Sequence, residues 1–171
     1  GNLNKVLTEC RFVEKDKDSK NSLDNILEEK CLPEDFEILS IDVDSFDLEI
    51  WESLTNYSPK IVIIEINSRY LPGIYKWHSG KPGNKFGGNS FSSTLMVAKK
   101  KGYQLICQHG NMIFIKKEFL KDIKLSQKFV SYPELLFDDK EFIEIEENDA
   151  ILKSIKFLKK TFKKIIELLK K

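Results

Sequence analysis

Apolar residues along the chain fall into two kinds of run. The first kind is short, β-branched and nearly continuous: Phe36-Glu37-Ile38-Leu39-Ser40-Ile41-Asp42-Val43-Asp44 and Lys60-Ile61-Val62-Ile63-Ile64-Glu65-Ile66-Asn67. Runs of this kind predict strands covered on both faces of a sheet. The second kind is spaced for a helix. Between the two strands, Leu48, Ile50, Trp51 and Leu54 recur at helical intervals. Strand, helix and strand within about 30 residues form a βαβ unit, so the strands are expected to be parallel with a right-handed crossover.

Local signals place the other elements. Ser22 predicts the N-cap of a helix running through Leu23, Ile26 and Leu27 to about Lys30, with Pro33 closing it. Ahead of it, Cys10-Arg11-Phe12-Val13 reads as a short strand. Asn89 or Ser90 is expected to cap a helix over residues 91–101, which ends on lysines with Gly102 at the C′ position. Residues 103–107 and 112–116, joined through Gln108-His109-Gly110-Asn111, predict a hairpin. The fold class expected is α/β, with a mixed sheet whose parallel strands end in an antiparallel hairpin over residues 1–118. Residues 119–171 read as a peripheral extension. It holds a strand at Phe142-Ile143-Glu144-Ile145 and a helix over 149–169, where Ile151, Ile155, Leu158, Phe162, Ile165 and Leu169 form one stripe.

Composition bounds the function classes. With 171 residues, 41% hydrophobic and 32% charged, the chain is long enough for one packed domain and short for two. No run approaches the roughly 20 apolar residues of a membrane span. The first residues lack the apolar core of a signal peptide, so a cytoplasmic location is expected. Three widely spaced cysteines, Cys10, Cys31 and Cys107, read as free thiols of a reducing compartment. The net charge of +1 conceals an asymmetry. Residues 148–171 carry eight lysines against Asp149 and Glu167, a net +6, leaving −5 on residues 1–147. An acidic body is a poor nucleic-acid binder. The basic amphipathic tail is expected to pack on its own domain or to pair with a second copy, ahead of lying on an anionic membrane.

Candidate chemistry gathers where the two buried strands end. In open parallel sheets ligands bind outside the carboxyl ends of the strands. There stand Asp42, Asp44 and Asp47 after the first strand, and Glu65 and Asn67 after the second. On adjacent strands, Asp44, Glu65 and Asn67 converge on one crevice. Hard oxygen ligands of this kind suit Mg²⁺ or Ca²⁺, or hold substrate hydroxyls and amines. The competing reading makes these acids caps of the following helix, Ser45 and Asp47 above all.

Residues 68–89 form a long loop rich in glycine, lysine and aromatics, the usual sign of a functional segment. It carries Trp77 and His78. His78 is either a general base on an active-site lid or a solvated loop histidine. His109, in the hairpin turn, reads as a structural residue suited to left-handed geometry. None of the eight glycines forms a G-x-G that opens a helix after a strand. Gly83-Asn84-Lys85-Phe86-Gly87-Gly88 follows a loop instead, and is a poor nucleotide cradle.

Several of these stretches, taken together and in order, resemble a known family. Glu37-Ile-Leu-Ser-Ile-Asp-Val-Asp-Ser-Phe-Asp-Leu-Glu-Ile-Trp51, then Pro59-Lys-Ile-Val-Ile-Ile-Glu-Ile-Asn67, are similar to the middle of FkbM-type S-adenosylmethionine-dependent methyltransferases. So are Phe86-Gly-Gly-Asn-Ser90, the helix after it, and Lys101-Gly-Tyr-Gln-Leu-Ile106. The resemblance covers about residues 21–117. It implies the C-terminal half of a class I methyltransferase fold, a seven-stranded sheet whose last strand runs antiparallel. The family's glycine-rich first strand-turn, which holds the methionine end of the cofactor, has no counterpart here, nor has the acidic strand end that holds the ribose.

By resemblance, Asp42 and Asp44 lie near the cofactor's methyl and the acceptor, with His78 as a further catalytic candidate. Glu65, Asn67 and Trp77 would contact the acceptor, a small molecule or sugar. Metal-assisted relatives of the same broad fold imply a divalent ion on Asp44, Glu65 and Asn67. The expectation is thus the acceptor-side half of an O-methyltransferase, inactive alone. The alternative is a non-catalytic module that forms a homodimer through an exposed sheet edge or the C-terminal helix.

Overall fold

The computed structural model of the chain describes residues 6–79 and 87–138. The chain divides into two units, Gly1–Glu141 and Phe142–Lys171. The second unit, with the strand expected at 142–145 and the helix expected over 149–169, lies outside the described residues.

Local capping starts two of the helices where the sequence places them. Helix α1 spans Leu23–Glu29, and its N-cap Ser22 accepts from the Asn25 amide. Strand β1, Ile38–Ile41, leads into α2, Asp47–Ser53, and then β2, Ile61–Glu65. Helix α3, Phe91–Lys100, begins at Ser90, whose hydroxyl accepts from the Ser93 amide. Beyond it the chain passes Gly102, at φ 84°, into β3, Tyr103–His109, and turns at Gly110, at φ 69°, into β4, Asn111–Lys116. Only glycine adopts these left-handed conformations without strain. Two 3₁₀ turns, Lys117–Asp122 and Pro133–Leu136, flank the short helix α4, Gln127–Ser131.

The four strands form one sheet in the order β1-β2-β4-β3. β1 and β2 are parallel, as the βαβ reading expects, with Ile38 opposite Ile61. β4 runs antiparallel to both β2 and β3. The crossover through α3 sets β3 down one position away from β2, and the hairpin return fills the gap. The α/β class and the mixed sheet follow the sequence; the insertion of the last strand between β2 and β3 does not appear in it.

One face of the sheet carries the core. Leu39, Ile41, Val62, Ile64, Tyr103, Leu105, Met112 and Phe114 point to α2 and α3, which contribute Leu48, Trp51, Phe91, Leu95, Val97 and Ala98. Trp51 packs against Tyr103 and Phe114 at ring-centroid distances of 5.6 and 5.3 Å. Truncating a buried aromatic of this kind costs on the order of 3–5 kcal/mol. Polar ties lock the helices. Lys101 Nζ donates to the Leu54 carbonyl at 2.6 Å, and burial lowers its pKa. The buried Asp24 accepts from the Thr55 amide and hydroxyl and from the Asn56 amide.

The opposite face corrects an expectation. β1 alternates exposed and buried, and β2 half-buried and buried, so neither strand is fully covered on both faces. Ile38 is 55% exposed. A continuous apolar run in the sequence therefore does not guarantee two covered faces. The stretch at 10–13 also fails to become a strand; an isolated bridge just beyond it joins Glu14 to Ser22. Part of the expected extension belongs to the core layer, since Leu136 and Phe137 pack on it and Phe137 meets Phe91 edge to face at 5.3 Å.

Candidate functional site

β1 ends at Ile41, so Asp42 and Asp44 stand on the connection to α2 rather than on the strand. The connection bends sharply, with Asp44 at φ 56°. Asp47, 3% exposed, holds the bend together by accepting the amides of Val43 at 2.8 Å and Ser45 at 3.1 Å. The Ser45 hydroxyl donates to the Val43 carbonyl. Asp47 and Ser45 thus brace the bend ahead of α2, but neither caps the helix, whose N-cap position is Phe46 with no side-chain cap bond. Asp42 and Asp44 make no such closure.

Glu65 is the last residue of the neighbouring strand β2. One carboxylate oxygen each from Asp42, Asp44 and Glu65 lies within 4.8 Å of the other two. Of the expected trio Asp44, Glu65 and Asn67, the first two meet, with Asp42 rather than Asn67 as the third member, at the carboxyl end of the sheet. Three hard oxygen donors at this spacing match the donor chemistry of Mg²⁺ or Ca²⁺.

Asn67 is used differently. Its Nδ2 donates to the Gly87 carbonyl at 2.7 Å, and its Oδ1 accepts from the Arg69 amide. Its backbone amide donates to the Asn89 carbonyl at 2.8 Å. Asn67 therefore pins both ends of the long loop. Gly88, at φ 78°, lets the two segments approach; a Cβ there would stand 3.3 Å from Asn67 Cβ.

His78 is neither a solvated loop residue nor placed at a mobile tip. It is buried, and its ring meets Phe46 edge-on at 4.7 Å. The Gly88 amide donates to its Nδ1 at 3.0 Å, which puts the ring proton on Nε2 in the neutral form. The His78 amide donates to Asn89 Oδ1 at 3.2 Å. Trp77 packs against the hydrophobic core. His109 ends β3 in an ordinary conformation, pairs with Asp138 at 2.8 Å, and leaves the positive φ to Gly110.

Three residues that sequence reasoning did not select as site residues border His78. Phe46 meets it edge-on and lies 4.1 Å beneath Lys15 Nζ. Glu49, in the first turn of α2, has its pKa raised by burial, against the pull of Lys15 and His78. Asn89, 1% exposed, carries an Nδ2 without a hydrogen-bond partner, and Glu49 Oε2 is a second such atom. Only their position beside a loop histidine could have marked them, and that position is not visible in the sequence.

A separate concavity of about 530 Å³ is lined by Glu28, Cys31, Leu32, Glu34, Asn56 and Tyr57. These residues precede β1 and β2, so it lies at the amino end of the strands, away from the acids. Cys10, Cys31 and Cys107 are free and exposed. Among the described residues no helix is long and apolar enough to cross a membrane. No family model matches the chain, and neither a curated protein nor a solved structure matches it.

Proposed function

We propose that this chain is the acceptor-side half of an S-adenosylmethionine-dependent O-methyltransferase acting on a small molecule or sugar. The observation that carries the reading is the meeting of Asp42, Asp44 and Glu65 at the carboxyl ends of two adjacent parallel strands. The strand directions support it as well. The FkbM-type resemblance implies a sheet whose last strand runs antiparallel, and β4 is both the last described strand and the antiparallel one.

The donor set fits a divalent ion. Asp42, Asp44 and Glu65 would hold it, and such an ion lowers the pKa of a coordinated acceptor hydroxyl. The protein's own part is orientation: Asn67 ties Gly87 to the end of β2, and Phe46 and Gly88 fix the His78 ring. The fit to S-adenosylmethionine is partial. Gly87 and Gly88, the glycines nearest the site, are used to anchor Asn67 and His78 and do not form a turn opening from a strand. The cofactor's methionine end therefore calls for residues beyond those described, and methyl transfer by this chain alone is not expected.

Calorimetric titration of the chain with S-adenosylmethionine and S-adenosylhomocysteine, with and without Mg²⁺, tests the reading. The expected result is Mg²⁺ binding that disappears in Asp44→Asn and Glu65→Gln, with cofactor binding weak or absent. Saturable micromolar cofactor binding would instead make the chain a complete cofactor site. Absence of any Mg²⁺ response would remove the metal from the reading, and absence of both responses would sink it.

A further inference from the structure

The concavity at the amino end of the strands is walled by three segments that main-chain bonds tie together. α1 ends in a left-handed turn: Cys31, at φ 53°, lets the Leu32 amide donate to the Leu27 carbonyl at 3.2 Å. The Glu34 carbonyl accepts from the Ser58 amide at 2.7 Å, and Asp24 accepts from the Asn56 amide at 2.9 Å. Glu28, Leu32, Glu34 and Tyr57 are thus carried on backbone that is fixed without a ligand. The volume of about 530 Å³ falls within the roughly 300–1,000 Å³ of small-molecule sites.

Its chemistry is one-sided. Glu28 and Glu34 are exposed and line it, and among the described residues neither carboxylate pairs with a cation. The cations at the end of α1 are engaged by other acids: Lys30 pairs with Glu9, and Arg11 with Glu29. Tyr57 is only 9% exposed, and among the described residues its hydroxyl has no hydrogen-bond partner. Burial first, then the charges of Glu28, Asp24 and Glu34, raise the Tyr57 pKa, which places the phenol among these acids and keeps its proton on. A nearly buried phenol ordinarily finds a partner, and the space that this one borders is the concavity.

The same residues choose the ligand. Two carboxylates repel anions and accept from ammonium groups. A single metal ion does not fit. Among the described residues the acids gathered at metal-ligand spacing are Asp42, Asp44 and Glu65, so Glu28, Cys31 and Glu34 do not all lie close enough to share an ion. Separated charges with Leu32 and the Tyr57 ring alongside match two ammonium groups joined by methylenes. We propose that this concavity binds an aliphatic diamine or polyamine, its ammonium groups on Glu28 and Glu34 and its methylenes against Leu32 and Tyr57. The site shares no residue with the acids at the carboxyl ends of the strands, and it does not depend on the methyltransferase reading.

NMR titration of the full chain with putrescine and spermidine, and with butylamine for comparison, tests the proposal. The expected result is saturable binding of both polyamines, with amide shifts centred on residues 28–34 and 56–57. Butylamine should bind about fivefold more weakly than putrescine, because it lacks the second charge. Glu28→Gln and Glu34→Gln keep the side-chain shape at exposed positions, and each should weaken putrescine binding about threefold to tenfold. Failure of both polyamines to saturate below about 10 mM overturns the proposal. So do shifts centred on Asp42, Asp44 and Glu65, butylamine binding as tightly as putrescine, or Gln variants that bind as the parent does.

Discussion

Two polar clusters stand at the carboxyl ends of β1 and β2, and they are built in opposite ways. Asn67, Gly87, Gly88, His78 and Asn89 form a largely buried knot in which side-chain amides and a ring nitrogen meet backbone groups. Asp42, Asp44 and Glu65 gather like charges at the surface. A buried polar group left unpaired costs about 1–3 kcal/mol, so the knot's bonds offset the burial of the loop, Asn89 Nδ2 being the one group in it left unpaired. No such burial requirement acts on the exposed Asp42 and Asp44. The contrast separates polar residues held by the burial of the loop from acids that gather at the carboxyl end of the sheet.

The largest test of that contrast is Asn67→Ala. It removes the bonds to the Gly87 carbonyl and the Arg69 amide, and should lower the unfolding free energy read from urea denaturation by about 2–3 kcal/mol. An unchanged midpoint would erase the distinction between the two clusters. Gly88→Ala should follow at about 1–2 kcal/mol, because its φ is left-handed and the new Cβ would crowd Asn67. Its thermal midpoint should fall while that of Gly73→Ala, also left-handed but in open space, falls less.

On the exposed side, the effect belongs to the ion. Mg²⁺ at about ten times its dissociation constant should stabilise the chain by about 1.4 kcal/mol. Asp44→Asn should abolish that gain and leave the metal-free protein within about 0.5 kcal/mol of the parent, since Asn tolerates the left-handed backbone at this position. A large loss in the absence of metal would make Asp44 a structural residue after all.

The last effect is a slope. Burial raises the Glu49 pKa above the ordinary carboxylate range. Between the ordinary value and the raised one, the folded chain binds more protons than the unfolded chain, so Glu49 makes stability fall as pH rises from about 4 upward, levelling off above its folded pKa. Glu49→Gln should remove that fall and flatten the denaturation profile over the same window. A steeper profile would reverse the sign assigned to its burial.

Much of the fold was legible because it rests on short-range signals. Ser22 and Ser90 cap their helices with hydroxyls aimed three residues ahead, and the β-branched runs at 38–41 and 61–65 became parallel strands. The meeting of Asp44 and Glu65 was legible too, given adjacent strands and the rule that ligands gather at their carboxyl ends. The state of His78 was not. Its neighbours in the sequence are lysine, tryptophan, serine and glycine, whereas its environment is made by Phe46, Gly88 and Asn89. The same holds for Glu49, an unremarkable acid in a helix until the loop closes beside it.

The amino-acid sequence by itself determined where the main helices and strands lie, the serine caps of α1 and α3 and the glycine turns, since each follows from conformational preferences and hydrogen bonds among residues a few positions apart. Tertiary structure alone decided that β4 lies between β2 and β3, that the helices cover one face of the sheet, and that three acids meet while Asn67 turns away to hold a loop. Those outcomes depend on contacts between distant segments, where burial and the pairing of backbone groups are settled for the whole sheet at once.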